Sequence, residues 1–349
     1  MPKISRLRVL ACLTLPLLLA FSACGGGSAE SKNTVTLVLA AYTTPREAYG
    51  KAIIPGFKRH WKEKTGQNVD FRESYQGSGA QSRAVIGGFE ADIVALSLAA
   101  DVEKIAQAGL IKHAWAEKPH QGMVSTSIVV MAVRPGNPKK IRDWPDLTRS
   151  GLNVLTPDPR TSGGAMWNIC AMYGAALRGF AGVEKDRPEA AGQLLSSVFK
   201  NVSIMDKGAR ESITNFEKGI GDVALTYENE VLVGQKAGQK YEYVIPRSTI
   251  LIENPAAIVD AYVDKHGVRD VAEAFLEYLW SPEAQRAFAR YGLRPLDSAT
   301  AKEVEKTYPP VQDLWRIDYL GGWPKVTKEI FGPDGIYTKV YQKRHGSSS

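Results

Sequence analysis

Four times along this 349-residue chain an apolar, strand-like run is followed at once by a short turn of glycines and hydroxyls and then by a helical pattern. The turns are Thr43-Thr44-Pro45-Arg46-Glu47, Gly77-Ser78-Gly79-Ala80-Gln81, Thr161-Ser162-Gly163-Gly164 and Lys207-Gly208-Ala209-Arg210-Glu211. That recurring order of strand, turn and helix restricts the chain to an α/β architecture, in which the turns of one lobe share one edge of its sheet. A helix start leaves backbone N–H groups free, and glycine lets a ligand come close to them. Several such starts aimed at one point would hold an oxyanion.

The strands and helices follow from period. Val35 to Ala40 reads as a strand, and the helix after it, Pro45 to Lys64, carries Tyr49, Ile53, Phe57 and Trp61 on one face, with Gly66 as its stop. Val69 to Glu73 and Ile93 to Leu98 read as further strands, with helices over Gln81 to Phe89 and Val102 to Gly109. A long β-branched run, Ser127 to Val133, opens a second series: strands at Asn153 to Leu155, Val202 to Ile204 and Val223 to Tyr227, and helices over Ala165 to Leu177 and Ala209 to Phe216. The chain turns β-like again near Tyr243 to Ile245 and Thr249 to Ile252, then helical over Val268 to Trp280 and Pro282 to Tyr291. The expected organisation is two α/β lobes joined by two crossover segments, residues 34–127 with 254–349 in one lobe and 128–253 in the other. Ligands of such folds collect beyond the carboxyl ends of the strands, here a cleft between lobes.

The first residues address the chain. Lys3, Arg6 and Arg8 precede an apolar run from Val9 to Phe21 that ends in Ser22-Ala23-Cys24-Gly25, the pattern of a secretory signal too short to span a membrane. The small residues before Cys24 resemble a bacterial lipobox, which implies cleavage after residue 23, lipid on Cys24, and a Gly/Ser-rich tether over residues 24–33. The mature chain would keep 41 basic and 37 acidic residues. That surplus of four is compatible with small anions and far below a nucleic-acid footprint. Cys170 is then the one cysteine besides Cys24, so no disulfide is available. It lies in the apolar stretch Met166 to Leu177 and reads as a core thiol.

Enzyme signatures fail against the residues. No Gly-x-Ser-x-Gly elbow surrounds Ser78 or Ser162, no phosphate-binding loop ends in Lys-Ser or Lys-Thr, and His60, His113, His120, His266 and His345 lack metal spacing. Glu228-Asn229-Glu230 is the one acid pair to weigh, and it reads as a strand end whose carboxylates cap, hinge or face water. Thr44 with Glu47 and Ser78 with Gln81 match the capping box, so their bland reading is as helix caps.

At these same residues the chain resembles the sulfate-binding proteins that feed bacterial sulfate/thiosulfate ABC importers, which have the type II periplasmic-binding-protein fold. The resemblance runs from about Val35 to Trp323. It includes Tyr42-Thr43-Thr44-Pro45-Arg46-Glu47, Gly77-Ser78-Gly79, Glu90-Ala91-Asp92-Ile93-Val94-Ala95-Leu96, Thr161-Ser162-Gly163-Gly164-Ala165-Met166-Trp167-Asn168, Gly208-Ala209-Arg210, Gly219-Ile220-Gly221-Asp222-Val223 and Tyr278-Leu279-Trp280-Ser281-Pro282-Glu283. It implies an anion held without water by the N–H of Thr43, the Ser78 hydroxyl, the hydroxyl and N–H of Ser162, and the N–H groups of Gly163, Gly164 and Ala209. Three residues depart from the family pattern. Thr43 stands where Asp is common, Tyr227 where the best-known members have a Trp that meets the anion, and Met166 where an Arg commonly supports the site, leaving Arg210 as the basic support.

The resemblance implies a lipid-anchored receptor on the outer face of the cytoplasmic membrane that closes on sulfate or thiosulfate and passes it to permease and ATPase subunits. It needs no cofactor, metal or nucleic acid and performs no catalysis. The competing readings are a receptor for another tetrahedral oxyanion such as molybdate or phosphate, a surface hydrolase using Glu228 or Glu230 with a serine, and a structural lipoprotein.

Overall fold

Each half of the chain lays down short parallel strands, and those at Ile93–Ala95, Val154–Pro157 and Val223–Tyr227 are buried throughout, as inner strands covered by helices must be. The computed structural model describes residues 33–345; the expected signal, Cys24 and most of the tether lie outside them. The first series is β1 (Thr34–Tyr42), α1 (Arg46–Ala48) running through a π turn (Tyr49–Ile53) into α2 (Ile54–Thr65), β2 (Asn68–Gln76), α3 (Ser78–Ile86), β3 (Ile93–Ala95) and α4 (Ala99–Gln107). After the long β4 (Met123–Val133) come β5 (Val154–Pro157), α5 (Gly163–Leu177), α6 (Pro188–Lys200), β6 (Val202–Asp206), α7 (Ala209–Glu217), β7 (Val223–Tyr227), α8 (Glu228–Lys236) and β8 (Glu242–Val244). The long β9 (Ser248–Ile258) leads to α9 (Asp260–His266), α10 (Arg269–Tyr278), α11 (Pro282–Arg290), α12 (Ser298–Glu303), β10 (Asp313–Trp315), α13 (Gly322–Glu329) and α14 (Ile336–His345).

The strands form one path, β2-β1-β3-β9-β4-β7-β5-β6, with β10 on β9 and β8 on β4. β1, β2 and β3 run parallel, as do β5, β6 and β7, so within each half the strand carboxyl ends and the helix starts after them lie on one edge. The two crossover strands stand between these halves. β4 pairs with β9 up to Ile128 and with β7 from Val129; β9 pairs with β4 up to Pro255 and with β3 from Ala256.

Each half has its own core. Tyr49, Ile53, Phe57 and Trp61, the four residues of the expected helix face, are buried together with Phe275 and Phe288. α5 is buried on nearly all sides, because its sequence is apolar all round, and it puts Trp167, Cys170 and Met172 at the centre of the other core. Residues from β10 onward join that second core: Trp315, Leu320, Trp323, Tyr337 and Val340 cluster with α5 and α6, and Trp323 meets Trp167 edge-on at 4.7 Å. The carboxyl-terminal segment therefore packs on the half opposite to α10 and α11.

Candidate functional site

The four turns picked out by sequence converge. A methyl group on Gly77 would lie 2.5 Å from the Thr161 carbonyl oxygen and 2.9 Å from that of Lys207, so three of the turns touch through bare backbone. The Ala80 N–H donates to the Thr161 carbonyl at 3.3 Å. The fourth turn closes the group, since a methyl on Gly208 would sit 3.7 Å from Thr43 Oγ1. Gly164 lies deepest: its absent Cβ would be 2.7 Å from the Tyr227 ring, 3.3 Å from the Ala209 methyl and 3.4 Å from Ser162 Oγ. Thr43, Ser78, Ser162, Gly163, Gly164, Ala209 and Tyr227 are all buried, or nearly so, around this point.

The helix starts here are uncapped. α3 begins after Gly77, α5 after Ser162 and α7 after Gly208, and no side chain accepts from their first-turn N–H groups. The capping boxes expected at Thr44 and Ser78 do not form. Each helix start carries about half a positive charge, so uncapped α5 and α7 together present roughly one, with N–H groups of Gly163, Gly164 and Ala209 as its carriers. Ser78 takes a different partner from its motif. Its hydroxyl donates to Asp101 Oδ2 at 2.7 Å and accepts from the Ser97 N–H at 3.0 Å, while Asp101 is ion-paired to Lys104 at 2.8 Å.

The part-buried guanidinium beside the turns is committed to two carboxylates. Arg210, in the first turn of α7, donates to Glu47 Oε1 and Oε2 at 2.7 and 2.9 Å and to the Thr44 carbonyl at 3.3 Å; its Nε lies 2.7 Å from Glu230 Oε2. Burial alone would lower the Arg210 pKa, but Glu230 and Glu47 reverse this and hold the guanidinium charged. Burial pushes the Glu230 carboxyl up, and Arg210 opposes that shift. Glu228 is bound by Arg294 through two contacts at 2.6 and 2.9 Å. The triplet Glu228-Asn229-Glu230, expected at a strand end, instead forms the buried first turn of α8, because arginines from other elements neutralise both carboxylates.

Tyr227 closes β7 with its phenol buried, its ring 6.1 Å from that of Tyr42 and its Oη 2.6 Å from Ser97 Oγ. Burial raises its pKa far above the ordinary phenol value, so it stays protonated. Met166 is buried in the core around α5. Sequence reasoning missed Ser97 and Asp101 and read Glu47 only as a capping residue; the signal for Ser97 was its place, two residues past a strand that ends at the same edge as β1. Among the described residues no helix is long and apolar enough to cross a membrane.

Known proteins resemble this chain in sequence and fold. A model of the bacterial extracellular solute-binding protein family matches residues 37–294. The sulfate-binding protein of Synechococcus elongatus is 44% identical over 338 residues, 95% of each chain, and that of Escherichia coli is 41% identical over 88% of this chain and 94% of its own. A thiosulfate-binding protein of Pseudomonas aeruginosa is 35% identical over 93% of this chain and 97% of its own. The solved sulfate-binding protein SubI from Mycobacterium tuberculosis matches with a TM-score of 0.76 at 35% identity, covering 84% of this chain and 98% of that one. A periplasmic thiamin binding protein, 17% identical with a TM-score of 0.59, shares the fold alone. The chain has the two-lobed type II fold of the periplasmic binding proteins and belongs to the bacterial extracellular solute-binding protein family, as a relative of the sulfate-binding proteins.

Proposed function

We propose that this chain is an extracytoplasmic receptor that captures sulfate, or its near relative thiosulfate, and delivers it to the permease of an ABC importer. The observation that carries this reading is the meeting of uncapped helix starts, glycine backbone and buried hydroxyls at one point where the nearby arginine is already neutralised. Such a site offers hydrogen-bond donors, with Arg210 already committed to Glu47 and Glu230. The ligands are the N–H groups of Thr43, Gly163, Gly164 and Ala209, the Ser162 hydroxyl, and Ser78 and Tyr227 through their hydroxyls, with Arg210 as support; the Ser162 N–H, which donates to the Asp158 carbonyl at 2.8 Å, joins them only by leaving that bond. Ser78 reaches an anion only if its hydrogen turns from Asp101. Residues 34–127 and 254–312 form one lobe and 128–253 the other, with the segment from Asp313 onward packed on the second; the changes of strand partner in β4 and β9 support these limits. Lipid on Cys24 would tether the receptor to the outer face of the cytoplasmic membrane. The site transfers no group and performs no catalysis.

Donor-only chemistry also sets the selectivity. Sulfate is a full dianion at neutral pH, whereas phosphate, with a second pKa of about 6 to 7, retains a proton that requires an acceptor. Leaving that proton unpaired costs about 1 to 3 kcal/mol, a five- to hundredfold preference for sulfate. A thermal-shift panel of sulfate, thiosulfate, selenate, molybdate and phosphate tests the reading, because a ligand of the native state raises the melting temperature by mass action. Sulfate or thiosulfate should give the largest shift and phosphate the smallest. Ser162→Ala should lower the sulfate response, and a parent-like response from that variant, or no response from the parent, would refute the assignment.

A further inference from the structure

Resting on that reading, we propose that Ser97 is a positioning residue of the anion site, one that orients the Tyr227 hydroxyl and holds the start of α5 in register with Ser78. Ser97 follows β3, whose partners are β1 and β9, yet most of its bonds reach the other half of the sheet or the crossover. Its N–H donates to Ser78 Oγ at 3.0 Å, and its carbonyl accepts from Trp167 Nε1 on α5 at 3.0 Å and from Asn254 Nδ2 on β9 at 3.2 Å. Its hydroxyl lies 2.6 Å from Tyr227 Oη. A methyl on Gly163 would fall 2.6 Å from Ser97 Oγ, so this side chain rests directly on the first turn of α5. The residue is fully buried, and one position thus touches Ser78, Gly163, Trp167, Tyr227 and a crossover strand.

Counting hydrogens gives the role its chemistry. The Ser97 and Tyr227 hydroxyls hold two hydrogens, and their mutual bond uses one, whichever atom donates. One O–H is left, beside the uncapped N–H groups of Gly163 and Gly164. Removing either hydroxyl leaves the other free to turn away, so the two should act on an anion as a unit.

A double-mutant cycle tests this on the full mature chain. Sulfate affinity and dissociation rate would be measured by calorimetry and stopped flow for the parent, Ser97→Ala, Tyr227→Phe and the double variant. Each single change should weaken sulfate about tenfold, mainly through faster release, and the double should be little worse than either single. The bonds from the Ser97 backbone survive in Ser97→Ala, so its unliganded melting temperature should stay near the parent's, which a merely structural residue would not allow. Parent-like affinity for Ser97→Ala, or losses that multiply in the double variant, would overturn the proposal. If Ser97→Ala does not fold, Tyr227→Phe removes the same bond from the other side, and its parent-like affinity overturns the proposal equally. Failure of the functional reading would look different: the parent itself would not bind sulfate.

Discussion

Gly164→Ala separates the fold from the site in one substitution. Gly164 is the second residue of α5, in ordinary helical backbone, so alanine is conformationally welcome and should favour the helix by up to about 1 kcal/mol. Against that, the added methyl would lie 2.7 Å from the Tyr227 ring and 3.3 Å from the Ala209 methyl, contacts that typically cost about 1 to 3 kcal/mol to relieve. The gain offsets only part of that cost, so the unliganded protein should lose at most about 2 to 3 kcal/mol, or roughly 3 to 5 °C in melting temperature for a chain of this length. Binding has no such compensation. The methyl also stands 3.4 Å from Ser162 Oγ, among the donors themselves, and should weaken sulfate at least tenfold, about 1.4 kcal/mol. Thermal melts without ligand and calorimetric titration with sulfate read the two effects apart. A variant that binds sulfate within twofold of the parent would refute the placement of the anion beside Gly164.

Three further substitutions probe charge, two at the site and one at the far end of β3. Arg210→Met leaves Glu230 buried without its partner and should cost about 3 to 5 kcal/mol in urea unfolding near neutral pH; because the buried carboxyl binds its proton more tightly folded than unfolded, the loss should shrink as pH falls toward the ordinary glutamate range. Ser78→Asp places a second carboxylate where Oγ now sits 2.7 Å from Asp101 Oδ2, and should abolish sulfate binding in calorimetry. His266 is bonded to Asp92 at 2.7 Å and Glu90 at 3.0 Å; the Asp92 bond, opposed by burial and assisted by Glu90, raises its pKa above 6.5. A raised histidine pKa stabilises fully below the unfolded value, and the gain disappears as pH rises through the folded one. Melting scans should therefore show a step above pH 6.5 that His266→Gln lacks.

The strand-and-helix alternation was legible because it depends on local pattern: buried runs at β1, β4 and β7, and aromatic residues four apart on the helix from Arg46 to Thr65. α6, between α5 and β6, carries the same kind of signal, with Pro188 at its start and Ala191, Leu194, Leu195, Val198 and Phe199 buried on one face. The site turns were legible as uncapped starts, but their hydroxyl partners were not. Ser78 matches a local capping motif, and a carboxylate 23 residues away offers its hydrogen a stronger, charge-assisted bond. Glu228 and Glu230 look like solvated charges in sequence, and only tertiary structure brings Arg294 and Arg210 to them. The return of residues 313–345 to the α5 core is likewise set by packing between distant segments, which no periodicity encodes.

The central claim is that backbone N–H groups from α5 and α7 hold the anion without a charged side chain. A crystal structure of the mature chain grown with sulfate tests it most directly. The account expects sulfate oxygens within about 2.7 to 3.2 Å of the amide nitrogens of Gly163, Gly164 and Ala209 and of Ser162 Oγ, with Arg210 still bound to Glu47 and Glu230. Sulfate held elsewhere, or clasped by a lysine or arginine side chain at these turns, would contradict it.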